Sequence, residues 1–409
     1  MNPPRTSVII VSRHRTAALL RCLVALSQQD HTAFEVIVVA DPAAANAVAA
    51  LAKPIKLIRC DVANISVARN LGIDQAAGDI IAFIDDDAVA EPSWLGRLCA
   101  GFAAPEVVAA TGFVRGRNGI SFQWRASEVD ALAQDHEIEV AGPEIRHGSA
   151  QRCVKTQGTN CAFRAGALRQ IGGFDPAYRF FLDEADVNLR MAHLGATAIV
   201  PDAQVHHGFE ASARRRADRV PLSLRDIGAS TAYFLRRHNP LPDFEAAQKR
   251  LYHSEGARIA RHRAAGRLKA AAEEALLISL TTGWTEGLAR PLTSFAPLAA
   301  SDSAFLLFPS FGPCPGQVIA GRIWQKSALL KAGRTAASEK VTTVICLSPT
   351  ARPHRMSFQD GYWLQTGGLF GRIERSSARF RLVGFRSRLR EIAAFWSPFR
   401  PMGKGSTAN

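Results

Sequence analysis

Short β-branched runs alternate with amphipathic stretches over the first 210 residues of the chain. Residues 16–29 and 64–77 carry apolar side chains at helical spacing, and Asn64 and Gly78 fit the two ends of the second helix. Four apolar runs read as strands: 7–11, 34–39, 55–60 and 79–84. Strands that alternate with helices in this way predict a largely parallel α/β sheet with helices on both faces.

Three consecutive carboxylates end the fourth of these runs, in the stretch "GDIIAFIDDDAVAE". Asp85, Asp86 and Asp87 would repel one another there unless a cation lay among them. In parallel sheets, ligands bind beyond the carboxyl ends of the strands, which is where this triplet falls. Continued strand alternation predicts that Asp85 and Asp87 point to one side and Asp86 to the other. The alternative is an acidic turn that is simply solvated.

The pattern changes character twice further along the chain. Residues 115–155 are polar and contain glycine, which predicts a long excursion over the sheet edge. After about residue 245 the chain becomes rich in alanine and arginine, and ten arginines lie among aromatic residues between positions 352 and 400. We therefore predict two domains: residues 1–245 with the α/β sheet, and residues 246–409 with mixed structure and a basic character.

The composition is typical of a soluble globular protein and adds a constraint on partners. The 409 residues are 47% hydrophobic and 21% charged, which excludes a disordered chain. A formal net charge of +14 favours anionic partners. Seven cysteines without a CxxC pair argue against a disulfide framework, and no apolar segment reaches the length of a membrane span. We expect a cytoplasmic protein that meets a membrane only at its inner face.

Seven motifs, in order and at comparable spacings, resemble those of family 2 glycosyltransferases with the GT-A fold. They are "SVIIVSRHR", "FEVIVVAD", "SVARNLGI", "GDIIAFIDDDAVAEPSWL", "GTNCAFRAGALRQIGGFD", "FLDEADVNLRMAHLG" and "PDAQVHHG". The resemblance covers roughly the first 240 residues. It implies inverting transfer of a sugar from a nucleotide diphosphate sugar to an acceptor hydroxyl, in the biosynthesis of a cell-envelope polysaccharide or glycolipid. The expected partners are this donor and a glycan or lipid-linked acceptor.

A divalent cation fits this reaction, because the leaving diphosphate gains negative charge. Asp85 and Asp87 have the D-x-D spacing of such enzymes, and Mn²⁺ or Mg²⁺ prefers oxygen ligands. The resemblance adds a histidine after the strand "ATAIV", either His207, which its spacing favours, or His206. An ordinary polar role for these histidines remains the alternative.

The resemblance also assigns the nucleotide site. The residues predicted to bind the nucleotide are Ser12, Arg13, Arg15, Asp41, Arg69, Asp85 and Asp86. Two stretches depart from the family pattern. Ala40 stands where the family often has a second acidic residue, and Ser12, Arg13 and His14 replace the usual Thr-Tyr-Asn. Arg13 is therefore expected to stack on the base in place of an aromatic ring.

Displacement at the anomeric carbon needs a base that takes the proton of the acceptor hydroxyl. The resemblance places this base in the acidic pair Asp183 and Glu184, with Glu184 at the catalytic position. The alternative is that both carboxylates only complement the dipole of the helix that they open. The residues predicted on the acceptor side are Gly158, Thr159, Asn160, Gly173 and Asp186.

Other functions remain open at this point. A nucleotidyltransferase also places paired aspartates on an α/β sheet, but "VSRHRTAALL" lacks the glycines of its phosphate loop. A catalytically inactive, sugar-nucleotide-binding assembly partner is a further alternative, and a glycosidase would need no nucleotide site. The arginines between Phe385 and Phe399 fit an anionic membrane face, RNA or merely a solvated rim. No nucleic acid partner is expected.

Overall fold

The computed structural model describes residues 3–208, 210–403 and 406–407. The strands in these ranges are β1 (Thr6–Ser12), β2 (Phe34–Ala40), β3 (Lys56–Arg59), β4 (Ile80–Phe83), β5 (Ala88–Ala90), β6 (Val107–Arg115), β7 (Phe122–Trp124), β8 (Ser127–Asp130), β9 (Asp135–Glu137), β10 (Glu144–Arg146), β11 (Arg152–Val154), β12 (Cys161–Arg164), β13 (Ala196–His207), β14 (Gln317–Arg322), β15 (Thr342–Ser348), β16 (Arg355–Gln359), β17 (Tyr362–Gly368) and β18 (Ser406–Thr407). The α-helices are α1 (Thr16–Leu26), α2 (Pro42–Ala49), α3 (Ile65–Gln75), α4 (Trp94–Ala100), α5 (Ala165–Gln170), α6 (Asp183–Met191), α7 (Arg225–His238), α8 (Phe244–Ala264), α9 (Ala270–Ala289), α10 (Lys326–Ala336) and α11 (Phe385–Trp396).

The first half of the chain forms one large central sheet. Its strands lie in the order β10-β13-β6-β12-β4-β1-β2-β3, with β5 paired to β13 and β7 to β6. Strands β4, β1, β2 and β3 are mutually parallel, as are β6 and β13, whereas β12 runs antiparallel to its neighbours. The predicted mostly parallel α/β sheet is therefore confirmed.

Both faces of this sheet are buried because its central strands are apolar on both sides. In β1, Val8 and Ile10 pack toward α1, α2 and α4, whereas Ile9 packs toward α3, α5 and α6. This arrangement explains the continuous apolar runs in the sequence, which a sheet with one solvated face would not need. Burial on both sides leaves the ends of the strands as the places where polar groups gather.

Helix α3 begins as predicted, since the Asn64 side chain accepts a hydrogen bond of 3.1 Å from the Val67 backbone N–H. Gly78, in contrast, does not end this helix, whose last residue is Gln75. The glycine is needed for a close approach, because a Cβ on Gly78 would lie 2.6 Å from the backbone nitrogen of Ser7. It brings the chain directly into β4 alongside β1.

The polar excursion predicted over residues 115–155 contains five short strands. Strands β8, β9 and β11 form a three-stranded sheet of their own, while β7 and β10 extend the central sheet. These strands therefore cover the edge of the central sheet next to β6 and β13.

Helices α7 to α9 pack together after the central sheet. A Cβ on Gly283 of α9 would lie 1.9 Å from the backbone oxygen of Arg225, so glycine permits close contact between α9 and α7. The predicted boundary after residue 245 falls in the first turn of α8, inside this helical group, and a domain boundary there stays a prediction. Within the described ranges, no helix is both long enough and apolar enough to cross a membrane.

Residues 317–403, called here the C-terminal unit, form a second α/β layer. Its sheet has the order β16-β17-β15-β14, to which β18 adds an edge, and α10 and α11 pack on it. The aromatic side chains that suggested a membrane face are largely inside: Trp396 is fully buried and Phe399 is 8% exposed. Trp396 and Phe399 thus belong to a core, whereas Phe380 of the same region is 56% exposed.

Candidate functional site

A cavity of about 1950 Å³ opens beyond the carboxyl ends of β1 and β4. Its walls come from the central sheet, the three-stranded sheet and the start of α7. Residues 374–376 of the C-terminal unit also line it. The aspartate triplet lies at this edge, where the topology of parallel strands places ligand sites.

Two aspartates and one histidine converge in this cavity. One ligand atom each of Asp85, Asp87 and His207 lies within 4.8 Å of the others. Nε2 of His207 is 3.2 Å from Oδ1 of Asp87 and 3.9 Å from Oδ2 of Asp85. Nδ1 of His207 is 3.1 Å from Oε1 of Gln123, which fits an N–H donated from Nδ1 and leaves Nε2 facing the carboxylates.

Local turns bring these three residues together. The strand β4 ends at Phe83, and the backbone N–H of Ala88 donates to the carbonyl of Asp85 at 3.0 Å, so the triplet forms a turn. Strand alternation therefore does not orient Asp85 and Asp87, contrary to the sequence argument. Strand β5 then pairs with the end of β13, and Gly208 N–H donates to the carbonyl of Asp87 at 2.8 Å.

Asp86 points away from the cavity and holds a neighbouring arginine. Its carboxylate accepts from Ser12 Oγ at 2.7 Å and from Arg15 Nε at 3.0 Å, and Arg15 Nη2 lies 2.6 Å from its other oxygen. Burial raises the pKa of Asp86 to about 7, although the charge of Arg15 opposes this. Ser12 and Asp86 were predicted to bind the nucleotide, but neither lines the cavity. Asp86 instead binds Arg15, and Ser12 donates a hydrogen bond to Asp86.

Asp87 is buried but strongly stabilised as an anion. Arg15 Nη1 is 3.1 Å and Arg215 Nη2 is 3.7 Å from its Oδ2, which also accepts from the Glu210 backbone N–H at 2.8 Å. Burial raises the pKa of Asp87, but His207 and Arg15 together bring it well below its usual range. Asp87 is therefore ionised at neutral pH, as a cation ligand must be.

The acidic pair at the start of α6 has two different environments. Asp183 is 3% exposed and contacts Arg69, which is itself buried and donates to the carbonyl of Gly158 at 3.3 Å. Burial raises the pKa of Asp183 to about 8 against the opposing charge of Arg69. Glu184 is only half-buried and lines the cavity. The two carboxylates therefore differ in access to a ligand.

The backbone before this pair is strained. Phe181 and Leu182 have φ values of 72° and 65°, a left-handed conformation that bulky residues rarely adopt. Such conformations persist where the surroundings impose them and are concentrated at functional sites. Here they set the direction in which α6 begins and hence the positions of Asp183 and Glu184.

Asp41 orders the loop that follows β1. Its side chain caps α2 by accepting from Ala43 N–H at 3.1 Å and Ala44 N–H at 3.3 Å, and it accepts from His14 N–H at 2.8 Å. Asp41 is 2% exposed and does not line the cavity. Arg13, one residue before His14, does line it and donates from Nε to Asp61 at 2.8 Å.

The model of the family described as "Glycosyl transferase family 2" matches residues 7–172. These residues belong to glycosyl transferase family 2. The match confirms the family that the sequence motifs predicted. It ends between α5 and α6, so the family 2 segment contains Asp85 and Asp87 but neither Glu184 nor His207.

Curated relatives match parts of this chain. Glucosyl-dolichyl phosphate glucuronosyltransferase of Haloferax volcanii is 30% identical over 123 residues, which are 29% of this chain and 37% of that protein. Succinoglycan biosynthesis protein ExoM of Rhizobium meliloti is 34% identical over 114 residues, 26% of this chain and 37% of that protein. The matched segments thus span well under half of each relative, and these relatives include glycan biosynthesis proteins.

Solved structures are also similar. S. aureus TarS 1–349 is 17% identical with a TM-score of 0.44, and the match covers 70% of this chain and 81% of that one. The mannosyltransferase PcManGT from Pyrobaculum calidifontis, in complex with GDP-Man and Mn²⁺, is 17% identical with a TM-score of 0.42, covering 70% and 87%.

His206 needs a correction. It was predicted beside His207 as a cation ligand, but adjacent residues of a strand point to opposite faces. Nε2 of His206 lies 2.7 Å from Oε1 of Glu91, and its ring packs on Trp363 and Trp396 of the C-terminal unit. His206 is therefore turned away from the Asp85–Asp87–His207 cluster.

Three residues predicted on the acceptor side also lie outside the cavity. Asn160 is fully buried and accepts from Trp94 Nε1 at 2.7 Å. Asp186 binds Arg190 at 2.6 Å, and the carbonyl of Gly173 accepts from the same arginine at 2.7 Å. The first contact joins α4 to the residue before β12, and the contact between Arg190 and Gly173 joins α6 to the segment after α5. The other two, Gly158 and Thr159, line the cavity.

Several cavity residues were not predicted from the sequence. Arg215 lies next to Asp87, Gln123 next to His207, and the Trp124 ring stacks on His207 with 5.5 Å between ring centroids. The run of three arginines at 214–216, shortly after the paired histidines, was the one available signal. Gln123 and Trp124 come from the polar excursion, whose fold no local pattern revealed.

Proposed function

We propose that this chain is an inverting, metal-dependent glycosyltransferase that moves a sugar from a nucleotide diphosphate sugar to an acceptor hydroxyl. The observation that carries the proposal is the shared cavity: Asp85, Asp87 and His207 converge in it, and Glu184 lines it. Sugar transfer from a nucleotide sugar needs a cation site for the diphosphate and a base near the acceptor hydroxyl. This cavity contains candidate groups for both.

The donor side is proposed around the three converging ligands. Two carboxylates supply the oxygen ligands that Mg²⁺ and Mn²⁺ prefer, and His207 Nε2 completes a set of three protein ligands. The bound cation would neutralise charge on the departing diphosphate. Arg15 and Arg215, both within 4 Å of Asp87, place further positive charge beside the same position. Arg13 lines the wall where the nucleotide base would lie.

The transfer itself is proposed as one displacement. The acceptor oxygen forms its bond to the anomeric carbon while the bond from that carbon to the diphosphate breaks. The carboxylate of Glu184 takes the hydroxyl proton, and the nucleoside diphosphate leaves. Asp183, which contacts Arg69, orders the adjoining wall and is not the base. We propose that the acceptor lies beside Gly158 and Thr159, which line the cavity.

The acceptor is proposed to be a glycan or a lipid-linked sugar. This suggestion rests on the printed functions of the relatives, one of which acts on glucosyl-dolichyl phosphate and another in succinoglycan biosynthesis. Peripheral contact with an anionic membrane remains compatible with a net charge of +14. Liposome flotation tests it, because equal recovery with neutral and anionic vesicles would reject electrostatic attachment.

Binding of Mn²⁺ with a nucleoside diphosphate is expected to raise the melting temperature of the full chain. At a ligand concentration a hundred times the dissociation constant, binding stabilises the folded state by about 2.7 kcal/mol. For a chain of this size that corresponds to a shift on the order of 3 °C. The measurement is a thermal melt with UDP, GDP, CDP or dTDP, each with Mn²⁺ or with EDTA.

The absence of a shift with all four nucleotides would contradict the proposal. A screen of nucleotide sugars for metal-dependent release of nucleoside diphosphate then identifies the donor. Release of pyrophosphate from a nucleoside triphosphate would instead favour a nucleotidyltransferase. Binding without any turnover would favour the inactive assembly partner.

A further inference from the structure

The strand pair β5 and β13 carries the proposed cation site on one side and a buried charge cluster on the other. Asp87 precedes β5, and His207 is the last residue of β13, where it pairs with Ala88. Glu91 follows β5 directly, and its N–H donates to the carbonyl of Gln204 on β13 at 3.1 Å. The Glu91 side chain is fully buried beside His206, on the side away from the cavity.

An arginine of the C-terminal unit binds this cluster. Nη2 of Arg400 donates to Oε1 of Glu91 at 2.5 Å, and both side chains are completely buried. The Arg400 guanidinium lies 3.7 Å from the ring centroid of Trp363 and 4.4 Å from that of Trp396. The His206 ring packs on the same two tryptophans, at 5.0 and 5.9 Å. Glu91 and His206 are therefore enclosed by the C-terminal unit.

Other contacts hold the C-terminal unit to the strands around the cation site. The Arg115 guanidinium of β6, beside His206 in the sheet, lies 5.0 Å from the Trp396 ring. The backbone N–H of Met356 donates to the carbonyl of Asn118, in the turn between β6 and β7, at 2.8 Å. This hairpin carries Gln123, the hydrogen-bond partner of His207. The C-terminal unit thus touches each strand that positions the histidine.

We infer that Arg400 is a positioning residue for the Asp87–His207 pair and that the C-terminal unit holds the cation site in shape. The inference rests on the proposed function, since it concerns the cation of that reaction. Arg400 acts through Glu91 and His206, without touching a substrate. The physical reason is that backbone hydrogen bonds join β5 to the end of β13. A shift of Glu91 therefore moves both strands, and with them Asp87 and His207 on the cavity side.

The expected effect is large enough to measure, because a buried ion pair is sensitive to loss of one partner. Removing Arg400 leaves the buried Glu91 carboxylate with its hydrogen bond to His206 and the charge of Arg115, which favours rearrangement of this region. Groups that orient metal ligands from outside typically change metal affinity or activity by 10- to 100-fold when mutated. We expect about tenfold for this more distant contact.

The test uses the full-length chain and measures Mn²⁺ binding directly, by titration calorimetry in the presence of UDP or whichever nucleoside diphosphate binds the wild type. Arg400→Met is expected to raise the Mn²⁺ dissociation constant by about tenfold. Arg400→Lys keeps the charge but loses the planar stacking on the tryptophans, and is expected to have an intermediate effect. Arg386→Met, at an exposed position of α11, is the matched control and is expected to match the wild type.

A double-mutant cycle checks that the effect passes through Glu91. Glu91→Gln alone should also weaken Mn²⁺ binding. If both residues act through their mutual contact, the Glu91→Gln and Arg400→Met double variant should bind Mn²⁺ less weakly than the product of the two single effects predicts. Independent, multiplicative effects would contradict the proposed route.

The outcomes separate this inference from the proposed function. A wild type that binds no Mn²⁺ with any nucleotide overturns both. A wild type that binds Mn²⁺, with a folded Arg400→Met variant of equal affinity, overturns the inference alone, even if the variant melts at a lower temperature. If Arg400→Met does not fold, Arg400→Lys decides: wild-type Mn²⁺ affinity overturns the inference, and weaker binding supports it.

Discussion

Asp87→Asn is expected to abolish Mn²⁺-dependent nucleotide binding and to lower sugar transfer by about a thousandfold or more. The substitution keeps the shape of the side chain and an oxygen that accepts from the Glu210 N–H, but it removes the negative charge between His207 and Arg15. Stabilisation of the leaving diphosphate by a metal is worth several kcal/mol, and about 4 kcal/mol corresponds to a thousandfold in rate.

The measurement combines the Mn²⁺-dependent thermal shift with the rate of nucleoside diphosphate release. Asp79→Asn is the matched control, because Asp79 is an exposed carboxylate at the opposite end of β4 and pairs weakly with Arg5 at 3.7 Å. It should behave like the wild type. An Asp87→Asn variant that keeps the Mn²⁺-dependent shift would show that the converging residues are not the cation site.

The sequence predicted the central sheet well because its signal is local. Each inner strand is an uninterrupted apolar run, and such runs need burial on both faces, which helices on both sides of a parallel sheet provide. Asp85 and Asp87 stood out because charge is expensive directly after a buried strand. The order of the motifs then predicted the family, and the family match to residues 7–172 confirmed this prediction.

Local sequence patterns could not decide whether His206 or His207 faces the cavity. Two adjacent residues of a strand face opposite sides, so one of the two had to point away from the cavity. Which one does so depends on the pairing of β13 with β5 and β6. A pattern of neighbouring residues contains no information about that pairing.

The arginines of the C-terminal unit illustrate the same limit at longer range. In the sequence, Arg388 and Arg400 look like members of one exposed basic region. In the structure both are buried, and Arg400 binds a carboxylate that is 309 positions earlier in the chain. Burial of a charge becomes acceptable only when its partner is present, and a partner so distant leaves no mark on the local composition.

Glu184→Gln is expected to retain Mn²⁺-dependent nucleotide binding and to lower sugar transfer by about 10²- to 10⁴-fold. The amide has nearly the shape of the carboxylate but cannot accept the hydroxyl proton, and general base catalysis typically contributes a factor of this size. Because Glu184 is half-buried at the cavity wall, the substitution should disturb the fold little. The measurements are the thermal shift and kcat, with Glu106→Gln, an exposed glutamate before β6, as the control.

Asp183→Asn distinguishes the roles of the two carboxylates of α6, because Asp183 and Glu184 make different contacts. Asp183 contacts Arg69, which reaches the Gly158 carbonyl at the cavity wall, so replacing the Asp183 carboxyl with an amide should loosen Arg69 and weaken nucleotide binding as well as turnover. Glu184→Gln should change kcat while nucleotide affinity stays near that of the wild type. If the pattern is reversed, with Asp183→Asn losing turnover alone and Glu184→Gln transferring sugar normally, then Asp183 is the base and the proposed role of Glu184 is wrong.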